Sequence, residues 1–157
     1  MTEVTKTDNR FMEIRMGTHL FAIPLLTVKE VIQRPEVTSV PNMPATFEGM
    51  MNLRGQILGV FNVRKKLGAA ARDKNEASAE IVVVIESGGV MVGMLVDEVN
   101  RVLHATTEMM RTAPLKDNDP AKEFVAAVIQ DKANMILILE VSKLLELDKY
   151  KMERKAS

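Results

Sequence analysis

The sequence predicts an all-β chain built as two small five-stranded β-barrels in tandem, with short helices. Three observations lead there. Short β-prone apolar runs recur along the 157 residues, broken by Gly, Pro and Asn. The two halves of the chain follow one plan. Helical signals are few, and each covers only a handful of residues.

In chain order, Phe11–Met16 and Leu20–Ile23 form a first hairpin across Gly17-Thr18-His19, and Pro24 closes it. Leu25, Val28, Val31 and Ile32 follow at helical or half-buried spacing. Pro35, Pro41 and Pro44 keep the next stretch extended and exclude a helix. Gly49–Leu53 and Ile57–Val63 pair across Arg54-Gly55-Gln56. Asn62 caps a short helix that ends at Leu67 and is stopped by Gly68. Ala69–Ala79 is small and charged, and reads as a surface loop. Ile81–Ile85 is a continuous apolar run, the pattern of a strand buried on both faces. Gly88-Gly89 turns it into Val90–Val96, and Val99–Leu103 continues the β character. Thr112–Ala121 reads as loop. Phe124–Gln130 and Met135–Leu139 make the last hairpin, and Val141–Leu147 a short amphipathic helix.

The common plan can be checked by offset. A shift of 78 positions lays Arg54–Leu67 over Lys132–Leu145, so that Val63 meets Val141 and Leu67 meets Leu145. A shift of 71 lays Gly17 on Gly88, Val28 on Val99 and Ile32 on Leu103. A unit of roughly 60 residues is marginal alone, and two packed together share an apolar interface and leave a groove between them. Closing five short strands into a barrel also leaves no long free edge. The expected organisation is a polar segment over 1–10, a folded body over 11–147 and a charged tail over 148–157. Within the body, barrel one covers about 11–67 and barrel two about 81–147, with room for exchange of elements between them.

Composition narrows the chemistry. Acidic and basic residues balance at 21 each, and no basic stripe invites nucleic acid or anionic membrane. There is no cysteine, which removes disulfides and thiolate chemistry. No signal peptide or membrane-length apolar run is visible, so the chain is expected to stay in the cytoplasm. The two histidines, His19 and His104, lie in different halves, read as surface residues, and predict no metal site. Asp97 and Glu98 are adjacent on a strand and point to opposite faces, so they read as solvated strand-end charges rather than an acid–base pair. No catalytic constellation or cofactor motif emerges, and an enzyme is not expected.

Two features remain. Twelve methionines include the pairs Met50-Met51 and Met109-Met110, which on a strand place one thioether inward and one outward. They are either gap-filling core or an adaptable binding surface. Arg54 sits at a hairpin turn beside Gly55. It is either solvated or placed at a groove mouth, where a guanidinium hydrogen-bonds carboxylates or helix-end carbonyls.

The stretches Phe21-Ala-Ile-Pro24, Val28-Lys-Glu-Val-Ile32, Val40-Pro-Asn-Met-Pro44 and Phe47-Glu-Gly-Met-Met-Asn-Leu-Arg-Gly55 resemble the signature of the CheW family of bacterial chemotaxis. Ile81–Ile85 and Val92-Gly-Met-Leu-Val-Asp97-x-Val99 resemble that family's second barrel, so the likeness covers residues 11–147. It implies two SH3-like barrels and an adaptor that couples chemoreceptor cytoplasmic tips to the histidine kinase CheA, in arrays on the inner face of the membrane. Val28, Glu30, Gly49 and Arg54 match the receptor-binding positions, and the receptor tip is expected in the groove between barrels. Arg111, Leu115 and Lys116 fall near the contact with the kinase's regulatory domain. The chain departs from the usual pattern at Gly59 (commonly Pro), Asn62 and Glu140 (commonly Asp), Ala127 and Ala133 (Gly) and Thr112 (Pro). A related scaffold for a pathway other than chemotaxis, or a small-ligand-binding barrel, is the alternative expectation.

Overall fold

A computed structural model describes residues 9–68 and 81–145. The predicted 69–79 loop, the 148–157 tail and the 1–10 segment apart from Asn9 and Arg10 lie outside the described residues. Among the described residues there are eleven strands: β1 Arg10–Met16, β2 His19–Pro24, β3 Val28–Gln33, β4 Phe47–Leu53, β5 Gln56–Phe61, β6 Ile81–Ser87, β7 Val90–Val96, β8 Glu98–His104, β9 Met110–Arg111, β10 Val125–Asp131 and β11 Asn134–Leu139. Short helices span Arg64–Leu67 and Val141–Leu144.

The strands form a six-stranded sheet, β8-β1-β2-β11-β10-β9, and a five-stranded sheet, β3-β6-β7-β5-β4. Both sheets cut across the halves of the chain. The β1–β2 hairpin joins strands that all follow residue 97, and the β6–β7 hairpin joins strands that all precede residue 62. The offsets read from the sequence map one sheet onto the other: β6 on β1, β7 on β2, β3 on β8, β4 on β10 and β5 on β11. Even the irregularities match. Register shifts fall between Val28 and Glu30 against β6, and between Glu13 and Ile14 where β1 meets Val99 and Arg101. The isolated bridge Thr38–Met50 takes the place that β9 takes beside β10.

The apolar residues divide into three layers because the strands alternate faces. One cluster, with Met51, Leu58, Val60, Val82, Val84 and Leu95, fills the five-stranded barrel. A second, with Phe11, Ala22, Leu103, Ile129, Ile136 and Ile138, fills the six-stranded barrel. The largest lies between the barrels and draws Met12, Ile14, Phe21 and Ile23 from one sheet and Phe61, Val83, Ile85 and Met94 from the other. Burial of each such side chain contributes about 1.5–3 kcal/mol of transfer free energy. β6 shows why Ile81–Ile85 lacks alternation: Val82 and Val84 face one barrel's interior, and Val83 and Ile85 face the layer between barrels.

Several local expectations are corrected. Leu25–Thr27 is a 3₁₀ turn and the half-buried strand starts at Val28, where β3 alternates in burial along its length. β5 ends at Phe61, and the helix begins at Arg64 with Val63 in the capping position. Asn62 still contributes, since its Oδ1 accepts from the Arg64 N–H at 3.3 Å. The last helix closes at Leu144. The two-residue β9 was not anticipated; it is too short to carry a period.

Candidate functional site

The bulge in β3 decides which of its side chains can act together. Val28 pairs with Ile85 and Glu30 with Val84, so one extra residue, Lys29, turns Val28 and Glu30 to opposite faces. Val28 packs on the layer between barrels. Glu30 shares the other face with Ile32, beside the five-stranded barrel's own core.

Arg54 comes to Glu30 from the β4–β5 turn. The turn forces it to φ +52°, and Asn52 holds that conformation by accepting the Gly55 N–H on Oδ1 at 2.8 Å. From there Arg54 Nη1 donates to Glu30 Oε1 at 2.7 Å and Nη2 to Oε2 at 2.6 Å. This is a bidentate fork, which fixes direction as well as distance. Arg54 keeps 72% of its side chain exposed and Glu30 27%, so the pair is wet on one side. The hydrogen bonds from Arg54 hold the Glu30 carboxyl below its ordinary value of 4.5, against a smaller opposing effect of desolvation.

Gly49 serves the same face differently. At φ +154°, a Cβ there would lie 2.4 Å from Thr38 O and 2.7 Å from Val37 Cγ1. Its absence lets the 37–38 segment cross β4, where Thr38 and Met50 exchange backbone hydrogen bonds at 2.8 Å each. Glu30, Gly49 and Arg54 are thus gathered in one barrel, and Val28 faces away from them.

Two concavities flank the β4–β5 hairpin. The larger, about 640 Å³, is lined by Met43, Phe47, Met50, Ile57, Phe61 and Val92 among others, all from the five-stranded barrel and its loops. Its floor passes over Gly59, where a Cβ would approach Phe47 Cε1 to 3.1 Å and Phe61 Cε1 to 3.3 Å. Those two rings meet edge to face, their centroids 5.2 Å apart. The smaller concavity holds Pro35, Thr38, Met51 and Asn52. Met50 lines both, while Met51 is 2% exposed, so this methionine pair is split between surface and core. Met109 and Met110 are not split. Both are half-buried against the six-stranded barrel's core.

Arg111, Leu115 and Lys116 lie at and after β9, on the edge of the six-stranded sheet. Arg111 curls onto the Glu108 and Met110 carbonyls, Leu115 packs on the layer between barrels, and Lys116 is exposed.

Asp97 overturns the solvated strand-end reading. Its side chain is 1% exposed, ion-paired with the equally buried Arg64, and it accepts the Gly17 N–H at 2.7 Å. Glu98 is exposed as expected and pairs with Arg15 at 3.3 Å. Glu13 and Arg64, the other buried charges, carry no local signal beyond sitting inside or just after apolar runs.

Comparison with known proteins bears on this geometry. Residues 10–149 match the CheW-like domain. The chain is 30% identical to the chemotaxis protein CheW of Klebsiella aerogenes, over 86% of this chain and 80% of that protein. It is 26% identical to the probable chemotaxis protein CheW of Rhizobium etli, over 87% of each. The crystal structure of the scaffolding protein TtCheW from Thermoanaerobacter tengcongensis superposes with a TM-score of 0.76 at 24% identity, covering 89% of this chain and 94% of that one. That last likeness speaks to the fold.

Proposed function

The chain belongs to the CheW-like family, and on that premise we propose that it is a chemotaxis scaffold coupling chemoreceptor cytoplasmic tips to the histidine kinase CheA. The observation that carries the proposal is the Glu30–Arg54 fork at the end of the β4–β5 hairpin, whose strands also line a concavity of the five-stranded barrel rather than a groove between barrels. A helical tip docks by laying apolar side chains into a groove, while a few fixed polar groups set its register. Arg54 is preorganised for that role, because Glu30 and the turn fix its direction before a partner arrives. Gly49 maintains the strap that walls the smaller concavity, and Val28 supports β3 from behind. The kinase's regulatory domain meets the segment carrying Arg111, Leu115 and Lys116. No helix among the described residues is long and apolar enough to cross a membrane, and in this reading the array position comes from the receptor.

Binding of purified protein to trimeric receptor-tip fragments tests the assignment. Arg54→Ala and Glu30→Lys should each weaken binding about ten-fold or more, the loss of one well-placed polar anchor, with the protein still folded and the melting temperature only slightly lowered. Native affinity in both variants would show the fork to be outside the receptor contact. Pull-down of the CheA regulatory domain should survive both changes and fall with Arg111→Ala. A second reading draws on the concavity's volume, which lies within the range of small-molecule sites. Thermal stabilisation by a metabolite without kinase capture would favour it.

A further inference from the structure

The four-residue Arg64–Leu67 helix leaves the five-stranded barrel after β5, and both of its described cationic side chains reach toward the other barrel. Arg64 donates through Nη2 to Asp97 Oδ1, and both side chains are 1% exposed. Asp97 is tied in turn to the β1–β2 turn. Its Oδ2 accepts the Gly17 N–H at 2.7 Å, its own N–H donates to Arg15 O at 3.0 Å, and Arg15 Nη1 stands 3.5 Å from Oδ2. Two residues on, Lys66 Nζ donates to Leu144 O, at the end of the C-terminal helix, at 2.7 Å and lies 5.8 Å over the Phe124 ring. The helix is therefore pinned at two points to elements of the six-stranded barrel.

Stability does not account for the first pin. Arg64 Nε and Nη1 are buried with no hydrogen-bond partner among the described residues, so the guanidinium is only partly satisfied. A buried pair with unsatisfied donors is often replaced by apolar residues at no loss of stability. Nor does the repeat require it. The shift of 78 places Ser142 and Leu144 where Arg64 and Lys66 stand, and the shift of 71 places Leu26 where Asp97 stands. Among the described residues the fold is built twice and these polar pins once. The layer between barrels is apolar, and apolar contact is non-directional, so by itself it leaves sliding and rotation of the barrels weakly resisted.

We propose that the Arg64–Asp97 pair and the Lys66–Leu144 contact are positioning devices that fix the angle between the two barrels. They act on geometry, and a partner that touches both barrels reads that geometry.

Because the chain has no cysteine, Gln33→Cys and Ala126→Cys place one spin label on an exposed site of each barrel. Asp97→Leu strands the buried Arg64 guanidinium and should lower Tm by several degrees, whereas Arg64→Leu leaves Asp97 with the Gly17 N–H and Arg15 and should lower it less. The double variant Arg64→Leu/Asp97→Leu should return Tm to near native yet broaden the inter-label distance distribution. Lys66→Met should broaden it to a lesser degree with little change in Tm, and carries the test alone should the double variant not fold. A native, narrow distribution in every folded variant would overturn the proposal.

Discussion

The two barrels carry ion pairs of opposite polarity at neighbouring places: Arg101 stands where Glu30 does, and Asp131 stands one position before the counterpart of Arg54. In the five-stranded barrel an acid on the bulged strand, Glu30, is met by a base on the hairpin turn, Arg54. In the six-stranded barrel the bulged strand carries the base, Arg101, and the hairpin end carries the acid, Asp131, at 2.5 Å. The turn geometry is the same, with Arg54 at φ +52° and its counterpart Lys132 at φ +58°. The difference lies underneath. Where the first barrel has Val84, the second has Glu13, 5% exposed, which accepts from Arg101 Nε at 2.9 Å and Asn100 Nδ2 at 2.8 Å. Arg101 is drawn inward by two carboxylates, which raise its pKa, Asp131 most strongly. Arg54 has one half-exposed partner and points out. One pair knits strands together, and the other presents a cation.

The same contrast runs through the glycines. Gly49 corresponds to Ala127, and Gly59 to Leu137, which is 7% exposed. A segment crosses both barrels there, over Gly49 in the first and over Ala127 in the second, but only the first is opened at Gly59, where Leu137 fills the second.

Substitutions that erase this contrast differ in size. Gly49→Ala should lower the unfolding free energy by about 3 kcal/mol, since the new Cβ meets backbone that cannot yield. Ala127→Gly should cost less than about 1 kcal/mol, the price of added chain entropy alone. Urea denaturation measures both, and equal losses would mean that the barrels are not different here. Arg101→Ala leaves the buried Glu13 with Asn100 and should cost about 2 kcal/mol, less than a fully buried pair because the guanidinium is 47% exposed. Glu13→Val copies the first barrel's Val84 and should cost about 1 kcal/mol, less than Arg101→Ala, because Arg101 keeps Asp131 and water and no buried charge is left alone.

The smallest effect is that of pH. The Glu30 carboxyl titrates below its ordinary 4.5 in the folded protein, so the fork's contribution is complete above that value. It fades as pH falls through the lowered value. The Arg54 Nε–H resonance should therefore hold its position from neutral pH to below 4.5 and move only beyond, and should not move at all in Glu30→Gln. A shift centred near 6 would mean that another group controls the fork.

Much of this was legible in the chain itself. Gly17, Gly55 and Gly88-Gly89 mark hairpins because tight turns need the backbone they permit, and the strands between them follow. The offsets of 71 and 78 identify the equivalent strands from the sequence alone. Arg54 stands out at its hairpin turn beside Gly55, whereas Glu30 is marked only by the family resemblance. That Glu30 faces Arg54 while Val28 does not depends on a bulge, which leaves no mark in the side-chain pattern.

The sequence by itself determined the strands, the turns and the doubling of the unit, because these follow from the alternation of apolar residues and from local backbone preference. Only the tertiary structure decided which hairpin completes which barrel. Either hairpin could pair with the strands of its own half or of the other, and the choice rests on packing between residues far apart in the chain, as Val28 with Ile85 and Ile14 with Val99 show. That crossing is also what buries Asp97. A charge at the end of a strand is solvated by default, and it becomes the partner of Arg64 only because two barrels close over it.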